Sequence, residues 1–256
     1  MKNKEKYKRD DFGNRMKSYE NVGNNLKLIP NLPIVVRLDG NRFSKLSKIL
    51  DLKKPYDDLF SDVMQKTAGL LINNQSKCVV AYTQSDEITL IFKDTYDSPI
   101  EFDRRVQKLC SILASKCTIY FNTLLKFAYP DNEKLGTAIF PVFDARVFNV
   151  PDWVEASNSL VWRESDATKN SIQSAGQSEL DHKQIQGLSN NKVQELLLEE
   201  ADINWNDYPE HFKKGTYLIR YKNDLDKTEI VQLKGLPPLS QINLEDRLEL
   251  LFKNNM

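Results

Sequence analysis

The sequence lacks the features that mark several large classes of protein. Its three cysteines (Cys78, Cys110 and Cys117) leave one over from any disulfide scheme and form no paired metal-binding motif, so we expect reduced thiols and a cytoplasmic location. No apolar run approaches the roughly 18 residues of a membrane helix, and we therefore predict no membrane partner. The two histidines, His182 and His211, are too few and too far apart for histidine-based acid–base catalysis.

Positive charge is not in excess either. Lys and Arg together number 36, and Asp and Glu together number 36, so any contact with a nucleic acid must depend on local clusters of basic residues. The sequence contains no Walker motif (GxxxxGKS/T) and no GxSxG or HExxH segment. These absences argue against a P-loop NTPase and against the common hydrolases.

The chain does contain a clear order of predicted strands and helices. Apolar and β-branched runs predict strands, and apolar residues at helical spacing predict helices. In chain order these are the strand Pro33–Asp39, the helix Asp57–Asn74, the strands Cys78–Gln84 and Glu87–Phe92, the helix Ile100–Leu125 and the strand Phe140–Val150. This β-α-β-β-α-β order predicts an α+β, ferredoxin-like fold.

The order of elements has a geometric consequence. A right-handed crossover makes the first two strands parallel, and the third strand then lies between them, antiparallel to both. The end of the first strand and the turn before the third strand therefore meet at one edge of the sheet. Asp39 lies at that strand end and Asp86 lies in that turn, so we expect the two carboxylates to be neighbours.

Residues 151–256 are predicted to form an annex that packs on the core of residues 1–150 as a single compact unit, because no Pro/Gly-rich linker separates them. The annex is expected to contain one or two helices after a cap at Asp152, a helix at about Asn191–Glu200, a hairpin of Thr216–Lys222 and Glu229–Leu233 around a turn at Asn223–Lys227, and a short terminal amphipathic helix.

The two acids predict a metal site. Asp39 and Asp86, supported by Glu87, supply the hard oxygen ligands that Mg²⁺ takes, and the carbonyl of Gly40 is a further candidate ligand. Two ions about 3.5–4 Å apart can activate an attacking oxygen and stabilise a leaving pyrophosphate. For either acid alone a simple turn is the better interpretation, but the topology that brings them together favours the metal site and a catalytic role for all three acids.

Residues beside these acids suit a triphosphate. Backbone N–H groups after the first strand can face phosphate oxygens, Ser85 can donate its hydroxyl, and Lys54 can reach the phosphates as a flexible charge. The predicted nucleotide-binding residues are Asp39, Gly40, Asn41, Arg42, Phe43, Ser44, Lys54, Ser85 and Asp86.

Further basic or polar residues are candidate contacts to phosphate or RNA. Each is as easily a solvated surface residue, although an arginine in FDARV that faced inward would need an anionic partner. The candidates are Arg37 in the first strand, Arg104, Arg105 and Lys108 on the second helix, Arg146 in the fourth strand, Arg163 and Asn170 beyond it, and the segment His182–Lys192, which can also be just a capped helix start.

Several segments occur together in an order that resembles a known family. They are VVRLDGNRF (Val35–Phe43), Lys54-Pro55 with Asp57, AYTQSDE (Ala81–Glu87), FDRR (Phe102–Arg105), FDARV (Phe143–Val147), WRESDATKN (Trp162–Asn170) and KKGTYLI (Lys213–Ile219). Over roughly residues 7–220 this order is similar to that of the tRNA-His guanylyltransferase family, which pairs VVRxDG with AYGQSDE as its metal-binding segments.

The resemblance implies a sheet like the palm of polymerases, with two Mg²⁺ held by Asp39, Asp86 and the carbonyl of Gly40. It implies that ATP or GTP activates the 5′-monophosphate of a tRNA or tRNA-like RNA. The 3′-hydroxyl of an incoming GTP or other NTP then attacks that end, so the RNA grows in the 3′-to-5′ direction. The resemblance also implies a homotetramer.

The chain departs from the eukaryotic pattern at three places. Thr83 and Ala145 replace glycines, and the segment Thr168–Ser174 replaces HINNLYN, which the family ties to recognition of the tRNA-His anticodon. We therefore expect templated repair of truncated tRNA 5′ ends, with addition of the extra 5′ G to tRNA-His as the first alternative. A palm enzyme such as a nucleotidyl cyclase is the second alternative, and a catalytically inactive binding module is disfavoured because the acids are present.

Overall fold

The computed structural model describes residues 2–222 and 227–253. The helices and strands within these residues follow one another as α1 (Lys2–Asn21), β1 (Ile34–Gly40), α2 (Phe43–Leu50), α3 (Asp58–Asn73), β2 (Cys78–Gln84), β3 (Glu87–Phe92), α4 (Val106–Ala128), β4 (Phe143–Asn149), α5 (Trp153–Glu179), α6 (His182–Ile185), α7 (Asn190–Ala201), α8 (Glu210–Lys214), β5 (Thr216–Lys222), β6 (Thr228–Leu233) and α9 (Leu244–Phe252).

The strands form one sheet in the order β4-β1-β3-β2-β5-β6, and all neighbouring strands are antiparallel. The third strand lies between the first two, as the element order predicts, and Asp39 is opposite Glu87 in the register of β1 and β3. The predicted α+β class and the meeting of the β1 end with the β2–β3 turn are confirmed. The likeness to a polymerase palm stays a prediction.

The sheet buries a different set of side chains on each face, because side chains alternate along a strand. One face packs against α3 and α4, with Val36, Leu38 and Leu90 in the same buried cluster as Leu71 and Phe121. Each fully buried Leu, Ile or Phe contributes about 1.5–3 kcal/mol. This first core holds the strands that carry the two acids.

The opposite face packs against α5 and α9. Val35, Ile91 and Tyr217 lie in a second buried cluster with Leu160 of α5 and Phe252 of α9. Since Val35 faces α5, the alternating residues Arg37 and Asp39 of the same strand face this side too.

Two helices were not predicted. In α2 the buried residues Phe43, Leu46 and Leu50 recur at helical spacing over eight residues, which is too short a stretch for periodicity to separate a helix from a loop. In α1 the charged sequence offers no continuous apolar face, and Phe12 and Tyr19 are exposed. The residues after β1, which were expected to present backbone N–H groups to phosphate, therefore lead into α2.

The predicted helix Ile100–Leu125 is wrong at its start. Residues Glu101–Arg104 form a 3₁₀ turn in which Phe102, Asp103 and Arg104 have positive φ angles, and α4 begins only at Val106. Arg104 is held there by a buried ion pair, with its Nε 2.7 Å from Asp94 Oδ2, and its carbonyl accepts a hydrogen bond from the Leu28 N–H. Arg104 and Arg105 therefore precede the helix.

The predicted elements of the annex are confirmed, with one long helix, α5, after Asp152, whose carboxylate accepts from the Glu155 N–H at 2.8 Å. The hairpin β5–β6 extends the main sheet through β2; most of its predicted turn, residues 223–226, lies outside the described residues. The division at residue 150 stays a prediction. In the part of the chain that the structure describes, no helix is long and apolar enough to cross a membrane.

Candidate active site

The edge of the sheet brings the predicted acids together. The N–H of Gly40 donates to the carbonyl of Asp86 at 3.0 Å, which ties the end of β1 to the β2–β3 turn. Ser85 in this turn has a left-handed φ of 48° and donates its hydroxyl to Asp86 at 3.2 Å. The predicted proximity of Asp39 and Asp86 therefore follows from the backbone hydrogen bond between Gly40 and Asp86 and from the register that sets Asp39 opposite Glu87.

Close packing requires a glycine at position 40. A Cβ added to Gly40 would lie 2.6 Å from the ring of Phe43, and that ring packs against Phe121 and Phe143 with centroids 5.2 and 5.0 Å away. The Phe43 side chain is thus part of the core, and its contact with a nucleotide stays a prediction. It fixes the course of the chain between β1 and α2.

The acids repel one another where no cation lies between them. Burial raises the pKa of Asp86, and the negative charge of Asp39 raises it further. Among the described residues, no group of three or more Asp, Glu, His or Cys side chains could hold a metal unaided. Mg²⁺ commonly takes only one or two carboxylates and completes its shell with phosphates and water. The donor set of Asp39, Asp86 and the Gly40 carbonyl therefore fits Mg²⁺ bound together with a triphosphate.

Glu87 and Arg163 require a correction, because each was expected to contact the metal or the substrate and instead they bind each other. Arg163 donates from Nε and Nη2 to the two carboxylate oxygens of Glu87, each at 2.7 Å. Both residues are buried. Breaking this pair would leave an unpaired buried charge, so its first role is to hold the strand that follows Asp86.

A cavity of about 540 Å³ opens beside the acids, and we call it the nucleotide cavity. Its volume lies within the roughly 300–1,000 Å³ that is usual for small-molecule sites. The predicted residues that line it are Asp39, Phe43, Ser44, Lys54, Ser85, Asp86, Glu87, Arg163 and Asn170. Gly40, Asn41 and Arg42 lie next to it along the chain but are not part of its lining.

The sequence reasoning missed the residues that shape the far wall of this cavity. Asp57 accepts from the N–H groups of Lys53 and Phe60 at 3.1 and 2.9 Å, so it holds the loop that carries Lys54. Tyr56 stacks on Phe212 with ring centroids 5.0 Å apart. An N-cap pattern before α3 indicated the role of Asp57, but no local pattern linked Tyr56 to a residue so distant in the chain.

His211 also lines the nucleotide cavity. Its Nε2 lies 3.3 Å from Asp58 Oδ1, but the two groups are not aligned as a hydrogen bond, and Nε2 is buried without a partner among the described residues. Burial lowers the pKa of His211, an effect that the charge of Asp58 opposes. The imidazole is therefore neutral at pH 7.

A second cavity, of about 220 Å³, lies on the α5 side of β1 and β4, and we call it the arginine cavity. Arg37 and Arg146 are opposite each other in the register of β1 and β4, and Arg163 lines both cavities. The Nε of Arg37 is buried and has no hydrogen-bond partner among the described residues. Three predicted phosphate or RNA contacts thus meet in one place.

The other predicted basic contacts lie elsewhere. Arg104 pairs with Asp94, which follows the end of β3 opposite to Glu87, and its contact with phosphate stays a prediction. Arg105 donates from Nε to the Phe102 carbonyl at 3.3 Å, and Lys108 is exposed on the first turn of α4. Neither lines a cavity, and their contact with RNA stays a prediction.

The segment His182–Lys192 contains a capped helix start, as its simpler interpretation predicts. Asp181 caps α6 in a capping box with Gln184, and Ser189 caps α7 by accepting from the Lys192 N–H. Its contact with RNA or triphosphate stays a prediction.

Comparison with known proteins gives a consistent result. The family model described as Thg1, tRNAHis guanylyltransferase, matches residues 13–151, which is more than half of the chain. The tRNA(His) guanylyltransferase of Saccharomyces cerevisiae is 30% identical over 220 residues, which cover 82% of this chain and 91% of that protein.

Solved structures agree with the sequence matches. A bacterial tRNA(His) guanylyltransferase (Thg1)-like protein in complex with ATP superposes with a TM-score of 0.79 and 32% identity, covering 93% of this chain and 96% of the other. One in complex with GTP gives a TM-score of 0.74 and 28% identity, over 93% and 95%. The chain therefore belongs to the tRNA-His guanylyltransferase family and is a nucleotidyltransferase.

Proposed function

We propose that this chain is a Mg²⁺-dependent enzyme that adds nucleotides in the 3′-to-5′ direction to the 5′ end of tRNA, and that it repairs truncated ends by templated addition. One observation carries the proposal. The acids Asp39 and Asp86 line the nucleotide cavity, and Arg37 of the arginine cavity has its Nη2 3.7 Å from Asp39 Oδ2, so a triphosphate in the first cavity and a phosphorylated RNA end in the second would approach the same carboxylates.

The nucleotide cavity has the chemistry that a triphosphate needs. Lys54 brings a positive charge to one wall, and the Ser44 and Ser85 hydroxyls are hydrogen-bond donors. Two Mg²⁺, held by Asp39, Asp86 and the Gly40 carbonyl, would neutralise phosphate charge and polarise the bonds to phosphorus. The bacterial relatives were solved with ATP and with GTP, which supports binding of both nucleotides here.

The arginine cavity has the chemistry that an RNA 5′-phosphate needs. Arg37 presents a buried Nε that makes no hydrogen bond with the described residues and lies 3.7 Å from Glu87 Oε2, and a guanidinium binds phosphate in a fixed geometry. Its position next to Asp39, with Nη2 3.7 Å from Oδ2, places a bound phosphate beside the acids.

The reaction then has two steps that balance. In the first, an oxygen of the RNA 5′-monophosphate attacks the α-phosphorus of ATP, and pyrophosphate leaves. In the second, the 3′-hydroxyl of the incoming NTP attacks the phosphorus of the RNA end, AMP leaves, and the hydroxyl proton passes to solvent. Lys54 and the arginines hold the phosphates in both steps, and the Glu87–Arg163 pair keeps Asp86 in place.

The segment Thr168–Ser174 favours repair over addition of the extra G. Ser171 is buried and accepts a hydrogen bond from Trp205 Nε1 at 3.2 Å, and Ile172 packs in a core cluster with Val193 and Leu197 of α7. Ser171 and Ile172 are committed to packing in the annex, whereas Lys169 and Asn170 are exposed. The preference for repair therefore rests on the absence from this segment of the histidine and the tyrosine of HINNLYN. Addition of G to tRNA-His remains the alternative, since the relatives carry that name, whereas family membership argues against a cyclase.

We also propose that the enzyme is a cytoplasmic homotetramer. Three large apolar side chains on and after α4 are highly exposed: Ile119 at 62%, Phe127 at 79% and Phe140 at 61%. Exposed apolar surface of this kind commonly marks contacts between subunits. Light scattering of the purified protein tests the assembly.

The decisive experiment offers two 5′-monophosphorylated RNAs to the protein with Mg²⁺, ATP and the four NTPs. One is a tRNA that lacks its first nucleotide, and the other is tRNA-His that lacks its extra 5′ G. We expect extension chiefly of the truncated tRNA, with the added base complementary to its partner. Extension chiefly of tRNA-His would instead establish G addition, and cyclic nucleotide formation without extension would overturn the proposal.

A further inference from the structure

The rim of the arginine cavity carries two exposed aromatic rings. Trp162 of α5 is 58% exposed and Phe148 of β4 is 42% exposed, and both line the cavity. The Arg163 guanidinium lies over the Trp162 ring at 4.7 Å from its centroid, so one side of the indole already carries a cation. Large rings left exposed at the mouth of a charged cavity indicate a binding surface rather than unfinished packing.

The charge of the cavity identifies the kind of ligand. Of the described residues that line it, three are arginines and none is acidic. The Arg146 side chain makes no hydrogen bond or ion pair with any residue that the structure describes. The buried Nε of Arg37 has no hydrogen-bond partner there either, although it lies 3.7 Å from Glu87 Oε2. A ligand that satisfies these groups is anionic.

The volume of the arginine cavity further limits which ligands can bind there. Its volume of about 220 Å³ is well below the 540 Å³ of the nucleotide cavity, so a whole nucleoside triphosphate does not fit. Adjacent arginines and aromatic rings form the combination that binds single nucleotides of RNA, with phosphates on the basic groups and bases on the rings.

We propose that Trp162 and Phe148 bind the 5′-terminal base of the RNA by stacking, while Arg37 and Arg146 hold its phosphate. This inference rests on the proposed function, since it concerns the same RNA end. Stacking on an aromatic face tolerates every base, and so does templated repair, in which the base at the end changes with each addition. The partner strand, not the protein, then specifies which nucleotide follows.

A second copy of the chain is a less suitable occupant. It would have to insert an acidic surface between the two rings to satisfy Arg37 and Arg146. RNA supplies both the anion and the flat ring in one unit. The test below treats a subunit contact as an outcome that overturns the proposal.

The experiment measures binding of a 3′-labelled, 5′-phosphorylated tRNA that lacks its first nucleotide, by fluorescence anisotropy with Mg²⁺ and without NTP. A second RNA has the same sequence with an abasic 5′-terminal nucleotide. Trp162→Ala is compared with Trp162→Phe and with Tyr19→Ala, which removes a ring that is 64% exposed near the end of α1. Because Trp162 is largely exposed, its removal does not threaten folding.

We expect Trp162→Ala to weaken binding of the intact RNA about tenfold, the scale of one base stacked on an aromatic ring. Trp162→Phe should retain most of the affinity, and Tyr19→Ala should match the wild type. The abasic RNA should bind the wild type about tenfold more weakly and lose nothing more with Trp162→Ala, because the stacked pair is already absent.

Two results overturn the inference. One is equal loss of affinity for the intact and the abasic RNA in Trp162→Ala; the other is a change of oligomeric state in that variant, seen by light scattering, without a change in affinity. Failure of the proposed function is distinct, since it appears as absence of extension by the wild type. The affinity measurements do not depend on extension.

Discussion

Both ends of β3 are next to an acid, Asp86 at one end and Asp94 at the other, and the two acids have opposite surroundings. At one end Asp94 accepts from Arg104 Nε and from the Ile100 N–H, each at 2.7 Å, and its side chain is fully buried. At the other end Asp86 faces a second acid, Asp39, and makes no ion pair with a residue that the structure describes. The charge of Asp94 is neutralised within the fold, whereas Asp86 lacks an ion-pair partner among the described residues.

This contrast separates structural acids from functional ones. A buried charge is costly unless a partner neutralises it. Asp86 has no ion pair among the described residues, and Asp39 has only Arg37, with Nη2 3.7 Å from Oδ2, so we propose that an external cation completes this pair of carboxylates. Glu87 is intermediate, because it adjoins Asp86 in sequence yet is neutralised by Arg163. Its position beside Asp86 suggests a role in catalysis, whereas its hydrogen bonds with Arg163 indicate a structural role.

The largest expected effect on activity comes from substitution of Asp39 or Asp86. Asp39→Asn or Asp86→Asn should reduce 5′ extension at least about 1,000-fold, since either change removes a metal ligand, while stability is unchanged or rises because the repulsion between the acids is relieved. Extension assays and thermal unfolding of each variant measure the two quantities. Near-normal activity in either variant would contradict the assignment of the metal site.

Arg163→Met should affect both properties. It leaves the buried Glu87 without a hydrogen-bonded cation, with only Arg37 Nε 3.7 Å from Glu87 Oε2, which costs about 3–5 kcal/mol. It also loosens the strand beside Asp86, so extension should fall at least tenfold. The double variant Glu87→Gln/Arg163→Met should recover much of the stability, because no buried charge remains, but not the activity. The free energy of unfolding in denaturant and the extension rate are measured for Glu87→Gln, Arg163→Met and the double variant, which together form a double-mutant cycle. A double variant no more stable than Arg163→Met would refute the pairing.

Asp94→Asn should affect stability alone. Arg104 then loses its charged partner, and the loss of about 3 kcal/mol is expected to appear in denaturant unfolding. The extension rate per folded molecule should remain within about twofold of the wild type, because the opposite end of β3 is undisturbed. A large loss of catalytic rate in folded protein would show that the two ends are not independent.

The smallest effect concerns a buried acid with neutral partners. Glu164 accepts from the Tyr217 hydroxyl at 2.6 Å and from the Leu239 N–H at 3.0 Å, and burial raises its pKa above 4.5. The folded state therefore holds this proton more tightly than the unfolded state, so the contribution of Glu164 to stability is greatest below pH 4.5 and declines as the pH rises through the folded pKa. Glu164→Gln should remove that decline in the free energy of unfolding measured across this pH range. An unchanged pH profile in the variant would contradict the prediction.

The sequence was sufficient for features that depend on the order and periodicity of elements. The position of the third strand followed from the β-α-β-β-α-β order, and with it the meeting of Asp39 and Asp86. The caps at Asp152 and Ser189 and the hairpin β5–β6 follow from short local patterns.

Contacts between segments that are far apart in the chain could not be predicted from the sequence. The pairing of Arg163 with Glu87 joins a helix to a strand 76 residues away, and periodicity does not specify such a partner. Arg104 was assigned to a helix because three consecutive positive φ angles leave no trace in hydrophobic spacing. These angles depend on Asp94 and on hydrogen bonds to the segment at Leu28, all outside the local window.

Arg163 has a consequence for the order of events, since it lines both cavities. Any shift of its guanidinium on occupation of one cavity alters the field in the other, so the affinities for NTP and for RNA are thermodynamically linked. Such linkage is reciprocal: if bound RNA changes the dissociation constant of the nucleotide by some factor, bound nucleotide changes that of the RNA by the same factor. A single side chain in a shared wall therefore makes substrate binding cooperative or anticooperative without any movement of the sheet.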